Sequence, residues 1–285
     1  MKIKDYRTFF VSNLLPFYDA MEAESFFYLI LEHQMNLKRV DLALQPDLEF
    51  STMSISKWDS YLKQLQLEIP IQYLLGTTCF YGLDFEVNSN VLIPRPETEE
   101  LVEWIIESVA ERHQNKKVKI LDIGTGSGCI AISLAKNLPK AQVFALDVSA
   151  EALFVAKGNA NNNGVNVVFI QKDILTTIDL EQEFDIIVSN PPYVRDLEKI
   201  EIKKNVLDNE PHLALFVADE DPLLFYRKIA DLALKNSAKG AQLFFEINQY
   251  LGTETVELLR SKGFDNIVLR KDLYENDRMI KADIN

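Results

Sequence analysis

The sequence predicts an α/β protein with a seven-stranded, mostly parallel sheet, preceded by a helical bundle and a β-hairpin. From Lys117 onward, apolar runs typical of buried strands alternate with longer segments of helical periodicity. Alternation of this kind covers both faces of a parallel sheet with helices. The first 75 residues instead carry apolar side chains at helical spacing and contain no glycine, as short bundled helices do.

The predicted N-terminal domain spans residues 1–76. Its apolar positions recur at helical spacing, for example at Tyr6, Phe10 and Leu14. Seven basic residues stand against ten acidic ones in residues 1–75, so no basic arm for nucleic acid is present. Two roles are equally compatible with this composition, a stabilising appendage and a domain that recognises a macromolecular substrate.

Residues 77–95 are predicted to form a β-hairpin linker, and residues 96–285 the domain that contains the sheet. Short alternating runs flank the polar stretch 88–90, which is where the hairpin turn is expected. Pro96 can occupy the first position of the helix that follows. Arg95, between two prolines, is compatible with a surface charge and with a residue that shapes a site.

The predicted elements of the sheet domain follow from the alternation of apolar patterns. Its strands are expected at 118–123, 142–147, 166–171, 184–189, 241–247, 264–270 and 278–284. The last of these is expected to pair antiparallel at or near the edge. Helices are expected after Pro96 and at 128–138, 149–162, 222–236 and 249–262.

The composition narrows the functional class. The net charge of −13 weighs against a nucleic-acid substrate, because proteins that track phosphates usually carry a basic face. Cys79 and Cys129 are too few for a disulfide framework or a zinc site, so no metal is expected and a reducing cytoplasm fits best. No apolar run is long enough to span a membrane, and the N-terminus lacks the apolar core of a secretory signal.

A glycine-rich loop follows the first predicted parallel strand. Its five residues are Gly124, Thr125, Gly126, Ser127 and Gly128. The spacing Gly-x-Gly-x-Gly differs from the Gly-x-Gly-x-x-Gly that cradles a pyrophosphate, which disfavours a dehydrogenase. Asp122 precedes the loop, and its carboxylate would attract an ammonium or sulfonium group more readily than a phosphate. A simple structural turn is the alternative.

Two further acids stand at the ends of the next two strands. Asp147 can accept hydrogen bonds from both hydroxyls of a ribose, and Asp173 can accept from an adenine amino group. Ile174 can cover the adenine ring. Either aspartate alone is a common helix cap, but together, beside a glycine loop, they outline an adenosine pocket.

The segment Asn190-Pro191-Pro192-Tyr193 follows the apolar strand 184–189. Ligands of open α/β sheets bind outside the carboxyl ends of the strands, so these residues lie where chemistry is expected. Two prolines stiffen the backbone, leaving the Asn190 side-chain oxygen and the Pro191 carbonyl as two acceptors beside an aromatic ring. This arrangement suits a planar NH2 group. A proline-rich turn with a capping Asn is the alternative.

These motifs resemble those of S-adenosylmethionine-dependent methyltransferases, and most closely the HemK/PrmC family. The resemblance extends over nearly the whole chain and includes residues 70–76, 80–85, 93–99, 124–128, 190–193, 210–211 and 276–278. It implies a class I methyltransferase with a Rossmann-like sheet that methylates the glutamine side-chain amide of peptide-chain release factors. It also implies that Asn190 and the adenosine-pocket residues contact the cosubstrate, and that residues 190–193 hold the glutamine. Ile174 departs from relatives that carry an aromatic residue at this position.

Other functions remain compatible with the sequence. The same segment could hold an adenine or guanine NH2 in a nucleic-acid methyltransferase or the glutamine of a ribosomal protein, and the fold could serve as a non-catalytic binding module. Residues 194–220 read as a long connection, either a lid over the site or a solvated loop. The roles of Glu210 and Glu246 are left open.

Overall fold

The structure is a computed structural model and describes residues 1–113 and 117–284. It divides into two compact units, of which the smaller consists of Met1–Gly76 together with Lys203–Asn209. The larger unit begins at Thr77 and contains the rest. Within the described ranges, no helix combines the length and apolar character needed to cross a lipid bilayer.

The smaller unit is a bundle of short helices, as predicted. Trp58 lies at its centre, with its ring centroid 4.9 Å from that of Phe27 and 5.0 Å from that of Phe50. Asp19 and Ser51 cap two helices by accepting from backbone N–H groups in the first turn. The N-terminal helices are α1 (Ile3–Leu14), α2 (Ala20–Met35), α3 (Arg39–Leu44), α4 (Thr52–Gln66) and α5 (Ile71–Leu75).

A two-stranded antiparallel hairpin opens the larger unit, formed by β1 (Thr77–Phe80) and β2 (Leu83–Glu86). The predicted turn at 88–90 is wrong, because the strands are joined at Tyr81 and Gly82. Both of these residues have positive φ, 49° and 71°, as the tight two-residue turns that match strand twist require. The Tyr81 N–H donates to Glu99 Oε1 at 2.7 Å, which helps to hold this conformation.

Asn159 connects the hairpin to the glycine loop. Its buried side-chain oxygen accepts from the Glu86 N–H at 2.7 Å. Its amide nitrogen donates to the Glu86 carbonyl at 3.0 Å and to the Ser127 carbonyl at 2.9 Å. One buried carboxamide therefore satisfies backbone groups of both segments, in a site where an unpaired polar group would be costly.

The main sheet is formed by β3 (Lys119–Ile123), β4 (Gln142–Asp147), β5 (Val167–Gln171), β6 (Phe184–Ser189), β9 (Ser237–Glu246), β10 (Asp265–Lys271) and β11 (Asp277–Asp283). These seven strands follow the order β10-β11-β9-β6-β3-β4-β5 across the sheet. Strands β3 to β6 and β9 run parallel, and β11 pairs antiparallel with both β9 and β10, which confirms the predicted sheet and its antiparallel last strand.

Helices cover both faces of this sheet and bury two apolar clusters. One cluster joins β3 and β4 to the hairpin and to the helix that begins at Pro96, and the other joins the sheet to the later helices. Burial of these side chains is the main source of stability. The helices are α6 (Pro96–Arg112), α7 (Cys129–Asn137), α8 (Ala150–Asn162), α11 (Leu224–Lys235) and α12 (Gly252–Ser261).

The connection after β6 contains short elements that the sequence did not predict. They are β7 (Val194–Arg195), a 3₁₀ helix (Asp196–Glu201), α9 (Lys204–Asn209), α10 (His212–Leu215) and β8 (Phe216–Val217). The buried carboxylate of Glu198 holds the 3₁₀ helix by accepting from the Arg195 guanidinium at 2.9 Å and from Asn248 Nδ2 at 2.8 Å. The segment is therefore ordered by polar side chains rather than by apolar periodicity.

Candidate active site

The central strands of the sheet bring the predicted site residues together at one edge. In the register, Ile123 at the end of β3 pairs with Ser189 of β6 and with Leu146 of β4. The Ser189 hydroxyl also donates to the Ile123 carbonyl at 2.7 Å. The next residues are Gly124, Asp147 (the last residue of β4) and Asn190, which therefore lie at the ends of adjacent strands about 4.8 Å apart.

The glycine loop adopts a backbone that ordinary residues avoid. Gly124, Gly126 and Gly128 have φ of 75°, 54° and 83°. A Cβ at either of the first two would meet no atom within 4 Å, so the backbone there faces open space that a ligand can occupy. A Cβ at Gly128 would lie 2.8 Å from the Ile132 side chain, so this glycine is required by packing instead.

Asp147 fastens the glycine loop to the end of β4. One of its carboxylate oxygens accepts from the Gly126 N–H at 2.8 Å, and the other accepts from the Ser149 N–H at 3.0 Å. Each oxygen of a carboxylate has two acceptor sites, so one remains on each for a ligand hydroxyl. Binding of a ribose by Asp147 stays a prediction.

Asp122 is a buried carboxylate beneath the loop. Its Oδ2 accepts from the Thr125 hydroxyl at 2.6 Å. Its Oδ1 is buried and has no hydrogen-bond partner of good geometry among the described residues. Burial raises the pKa of Asp122 to about 7, and the nearby charge of Asp147 adds to the rise. A carboxylate in this state favours a positively charged ligand.

Asp173 and Ile174 follow β5. The Asp173 carboxylate accepts from the Leu175 N–H at 2.8 Å, which closes a turn over residues 174–176 and does not cap a helix. Ile174 is half-buried against the second apolar cluster. Their contacts with an adenine stay a prediction, although the Asp173 carboxylate keeps free acceptor sites.

Asn190 is joined to a polar network that the sequence did not predict. Its Nδ2 lies 3.3 Å from the hydroxyl of Thr98, which donates to Glu246 Oε2 at 2.6 Å. The Tyr193 hydroxyl donates to the other oxygen, Glu246 Oε1, at 3.0 Å. Glu246 therefore connects the two ends of the segment 190–193.

Thr98 was missed and the role of Glu246 was left open, although both residues carried a weak signal in the sequence. Thr98 lies in the first turn of α6, beside Arg95, and Glu246 ends an apolar strand, where functional acids of α/β sheets are common. Their sequence separation of 148 hides the contact. Burial raises the pKa of Glu246, and the Thr98 donor and the charge of Arg278 oppose that rise.

Arg95 and Glu210 form an ion pair at the start of α6. The Arg95 guanidinium donates to Glu210 Oε1 at 2.6 Å, and the Ile93 N–H donates to Oε2 at 3.2 Å. The Glu210 side chain is 1% exposed and that of Arg95 is 32% exposed. The pair fixes the backbone on either side of Pro94, so Arg95 shapes the segment that carries Thr98.

Comparisons with known proteins agree with the observed sheet and with the helical N-terminal region. The family model described as "Methyltransferase small domain" matches residues 103–214, and the model described as "PrmC N-terminal domain" matches residues 18–76. Among solved structures, the Thermus thermophilus 16S rRNA N2 G1207 methyltransferase has a similar fold, with a TM-score of 0.54 at 19% identity over 73% of this chain and 50% of that chain. The fold and the site define a class I methyltransferase.

Curated relatives are similar over their full length. A release factor glutamine methyltransferase of Flavobacterium psychrophilum is 63% identical over 282 residues, which is 99% of both chains. A protein of the same name from Bacteroides thetaiotaomicron is 41% identical over 271 residues, covering 95% of this chain and 96% of its own. The chain belongs to the release factor glutamine methyltransferase family.

The site fits S-adenosylmethionine, the cosubstrate of this class. The open backbone at Gly124 and Gly126, the unsatisfied Asp122 oxygen and the free acceptor sites of Asp147 match a ligand that has a cationic end and a ribose. In the described part of the chain, no group of three or more His, Cys, Asp or Glu side chains could hold a metal ion. The protein is an S-adenosylmethionine-dependent methyltransferase.

Proposed function

We propose that this enzyme transfers a methyl group to the side-chain amide nitrogen of the glutamine in the Gly-Gly-Gln loop of peptide-chain release factors. The observation that carries the proposal is the Asn190 carboxamide, which follows β6 beside the glycine loop and has its nitrogen engaged by Thr98. Its oxygen is then available to accept from a substrate NH2 group. The names of the curated relatives support the same substrate.

In this proposal, Asn190 Oδ1 and the Pro191 carbonyl each accept one N–H of the glutamine amide, and Pro192 keeps the backbone stiff. The amide plane is then fixed, and the nitrogen can pyramidalise with its developing lone pair directed at the methyl group. Tyr193 packs on the amide and excludes water. Orientation of this kind can supply about 7–11 kcal/mol of the barrier.

The proposed cosubstrate contacts come from the loops after β3, β4 and β5. When bound, S-adenosylmethionine supplies an electrophilic methyl group on a sulfonium centre. We assign its binding to Gly124–Gly128 and Asp122, to Asp147 for the ribose, and to Asp173 and Ile174 for the adenine. Asn190 also faces the cosubstrate. A general base is not required beforehand, because the product nitrogen loses its proton readily after transfer.

Residues 1–76 are proposed to recognise the protein substrate, with 77–95 as the linker and 96–285 as the methyltransferase domain. Exposed apolar side chains support this role for the first segment. They occur where α1 passes into α2, at Leu15, Phe17 and Met21, and Met21 is 82% exposed. We propose a release factor, rather than a nucleic acid, as the partner, and the cytoplasm as the place of the reaction.

Mass spectrometry of a release factor tests the proposal. The factor is incubated with enzyme and S-adenosylmethionine, and the peptide containing the Gly-Gly-Gln loop is examined for one added methyl group on the glutamine. A parallel incubation replaces the release factor with RNA and uses cosubstrate labelled in its methyl group. Label in the RNA together with an unmodified release factor would overturn the proposed substrate.

A further inference from the structure

We propose that Thr98 and Glu246 are positioning residues that hold the Asn190 carboxamide with its oxygen directed toward the substrate. The inference rests on the proposed glutamine methylation and adds residues outside the segment 190–193. Neither residue is assigned to substrate or cosubstrate above. Both act on the reaction only through Asn190 and its neighbours.

The fold brings the three side chains together from separate elements. Asn190 follows β6, whose last residue, Ser189, pairs in parallel register with Phe245 of β9. Glu246 is the next residue of β9, so it lies beside the start of the Asn190 segment. Thr98 enters from the first turn of α6 and lies between them, with its hydroxyl 3.3 Å from Asn190 Nδ2 and 2.6 Å from Glu246 Oε2.

The direction of these hydrogen bonds follows from the number of protons available. The Thr98 hydroxyl has a single proton, and it donates that proton to Glu246 Oε2. The Thr98 oxygen can then only accept, and the group that can donate to it is the Asn190 NH2. The Asn190 oxygen is consequently directed away from Thr98. This chain of hydrogen bonds fixes which side of the Asn190 amide is oxygen. Without it, rotation about the Cβ–Cγ bond could exchange the oxygen and the nitrogen.

The carboxylate of Glu246 is itself held in place. The Tyr193 hydroxyl donates to its Oε1 at 3.0 Å, while Thr98 occupies Oε2. The positive charge of Arg278 acts on the same carboxylate, and the Asp272 carboxylate accepts from Arg278 Nε at 3.1 Å. The two donors and the charge of Arg278 favour the ionised form of Glu246, in opposition to the burial that raises its pKa.

This orientation selects the chemistry of the substrate group. Two acceptors, Asn190 Oδ1 and the Pro191 carbonyl, fit a group that has two N–H donors. A reversed carboxamide would present its NH2 to the substrate NH2, and two donors cannot pair. With Asn190 in the orientation that Thr98 enforces, the oxygens of a carboxylate substrate would face Asn190 Oδ1, and two acceptors cannot form a hydrogen bond. The network therefore favours a primary amide over its acid counterpart.

Substitutions at Thr98 test the inference on the full-length protein. Thr98→Val keeps the shape but removes the hydroxyl, whereas Thr98→Ser keeps it. Thr98→Cys keeps the size but supplies only a weak donor and acceptor. The matched control is Thr255→Val, which removes another buried threonine hydroxyl in the same unit, one that donates within its own helix to the Leu251 carbonyl at 2.7 Å.

The measurements are kcat and KM for release-factor methylation, the Kd for S-adenosylmethionine and the thermal midpoint. Thr98→Val and Thr98→Cys should lower kcat about tenfold or more, with KM and Kd within about threefold of wild type. Thr98→Ser should retain at least about half of wild-type kcat, and Thr255→Val should leave all three constants unchanged.

The outcomes separate this inference from the proposed function. A wild-type enzyme that leaves the release factor unmodified contradicts the function itself. An active wild type with an equally active Thr98→Val variant overturns only the positioning role. The positioning role is also overturned if Thr98→Val loses as much cosubstrate affinity as kcat, or if Thr98→Ser loses as much kcat as Thr98→Val. If Thr98→Val fails to fold, the comparison of the Ser and Cys variants decides.

Discussion

Arg95 donates a hydrogen bond to a Glu210 carboxylate from which solvent is almost entirely excluded, although the arginine itself is about one-third exposed. This asymmetry predicts unequal costs for the two single substitutions. In Arg95→Ala, the Ile93 N–H is the donor that remains for the buried Glu210 among the described residues, and the free energy of unfolding should fall by about 3 kcal/mol. In Glu210→Gln, Arg95 can turn to solvent and the cost should be about 1 kcal/mol.

Urea denaturation of the two variants, and of the double variant, measures these costs. The double variant should be more stable than Arg95→Ala alone, because it leaves no buried charge unpaired. Equal costs for the two single substitutions would contradict the prediction.

Asn190→Ala should remove most turnover and leave cosubstrate binding nearly intact. The substitution deletes the side-chain acceptor for the substrate amide while the glycine loop and Asp147 remain. The Kd for S-adenosylmethionine should stay within about tenfold of wild type, or about 1.4 kcal/mol. Calorimetric titration and initial rates give the two quantities. An equal loss in both would show that Asn190 serves the cosubstrate instead.

Gly128→Ala should lower the free energy of unfolding more than Gly240→Ala does. Both Gly128 and Gly240 have positive φ, which costs any other residue about 1–2 kcal/mol. Only at Gly128 would the new Cβ also collide with Ile132 and Ala156, at 2.8 and 3.1 Å, adding about 1–3 kcal/mol of overpacking.

Thermal unfolding of Gly128→Ala beside Gly240→Ala separates the collision from the backbone strain. Cosubstrate affinity should fall in the first variant alone, because the collision displaces the loop. Similar midpoints for the two variants would show that helix α7 moves aside at no cost.

Asp122 should make the stability of the ligand-free protein fall as pH rises. Its folded pKa of about 7 lies above the ordinary value of 3.8, since burial disfavours the charged form. Between these two pH values the folded state binds a proton that the unfolded state has lost, so the free energy of unfolding decreases with pH. Asp122→Asn should flatten this slope and be more stable at pH 8, by at most about 4 kcal/mol.

Urea denaturation at a series of pH values between about 4 and 8 tests this link between the ionisation of Asp122 and the free energy of unfolding. Asp84→Asn, which removes an exposed carboxylate, serves as the control. Cosubstrate affinity should rise through the same interval in wild type, because a bound cation favours ionised Asp122. An Asp122→Asn variant with the wild-type slope would exclude Asp122 as the source.

The order of strands and helices could be predicted from the sequence because apolar periodicity reports burial directly. The run 184–189 and the run that ends at Asp147 are buried on both faces of the sheet and read unambiguously. The strand that ends at Glu246 begins at Ser237, before the predicted position 241, because its first residues are half-exposed or exposed and show no apolar pattern.

Features that depend on side-chain hydrogen bonds could not be predicted in this way. The hairpin turn uses Tyr81, a residue that local propensity does not place at positive φ, and its N–H is satisfied by Glu99 from α6. The short elements after β6 are held by buried acids such as Glu198. In the site, Asn190 was predictable from its position after a strand, whereas its bond to Thr98 depends on tertiary packing.

The carboxamide of Asn159 is shared between the strand that ends at Glu86 and the loop at Ser127. Because the buried Asn159 side chain bonds to both backbones, loosening either segment leaves a donor or acceptor of that side chain unpaired. Motions of the two segments are therefore correlated. A ligand that orders the loop also lowers the conformational entropy of the hairpin backbone. Hydrogen exchange at Glu86 thus offers a remote readout of cosubstrate occupancy.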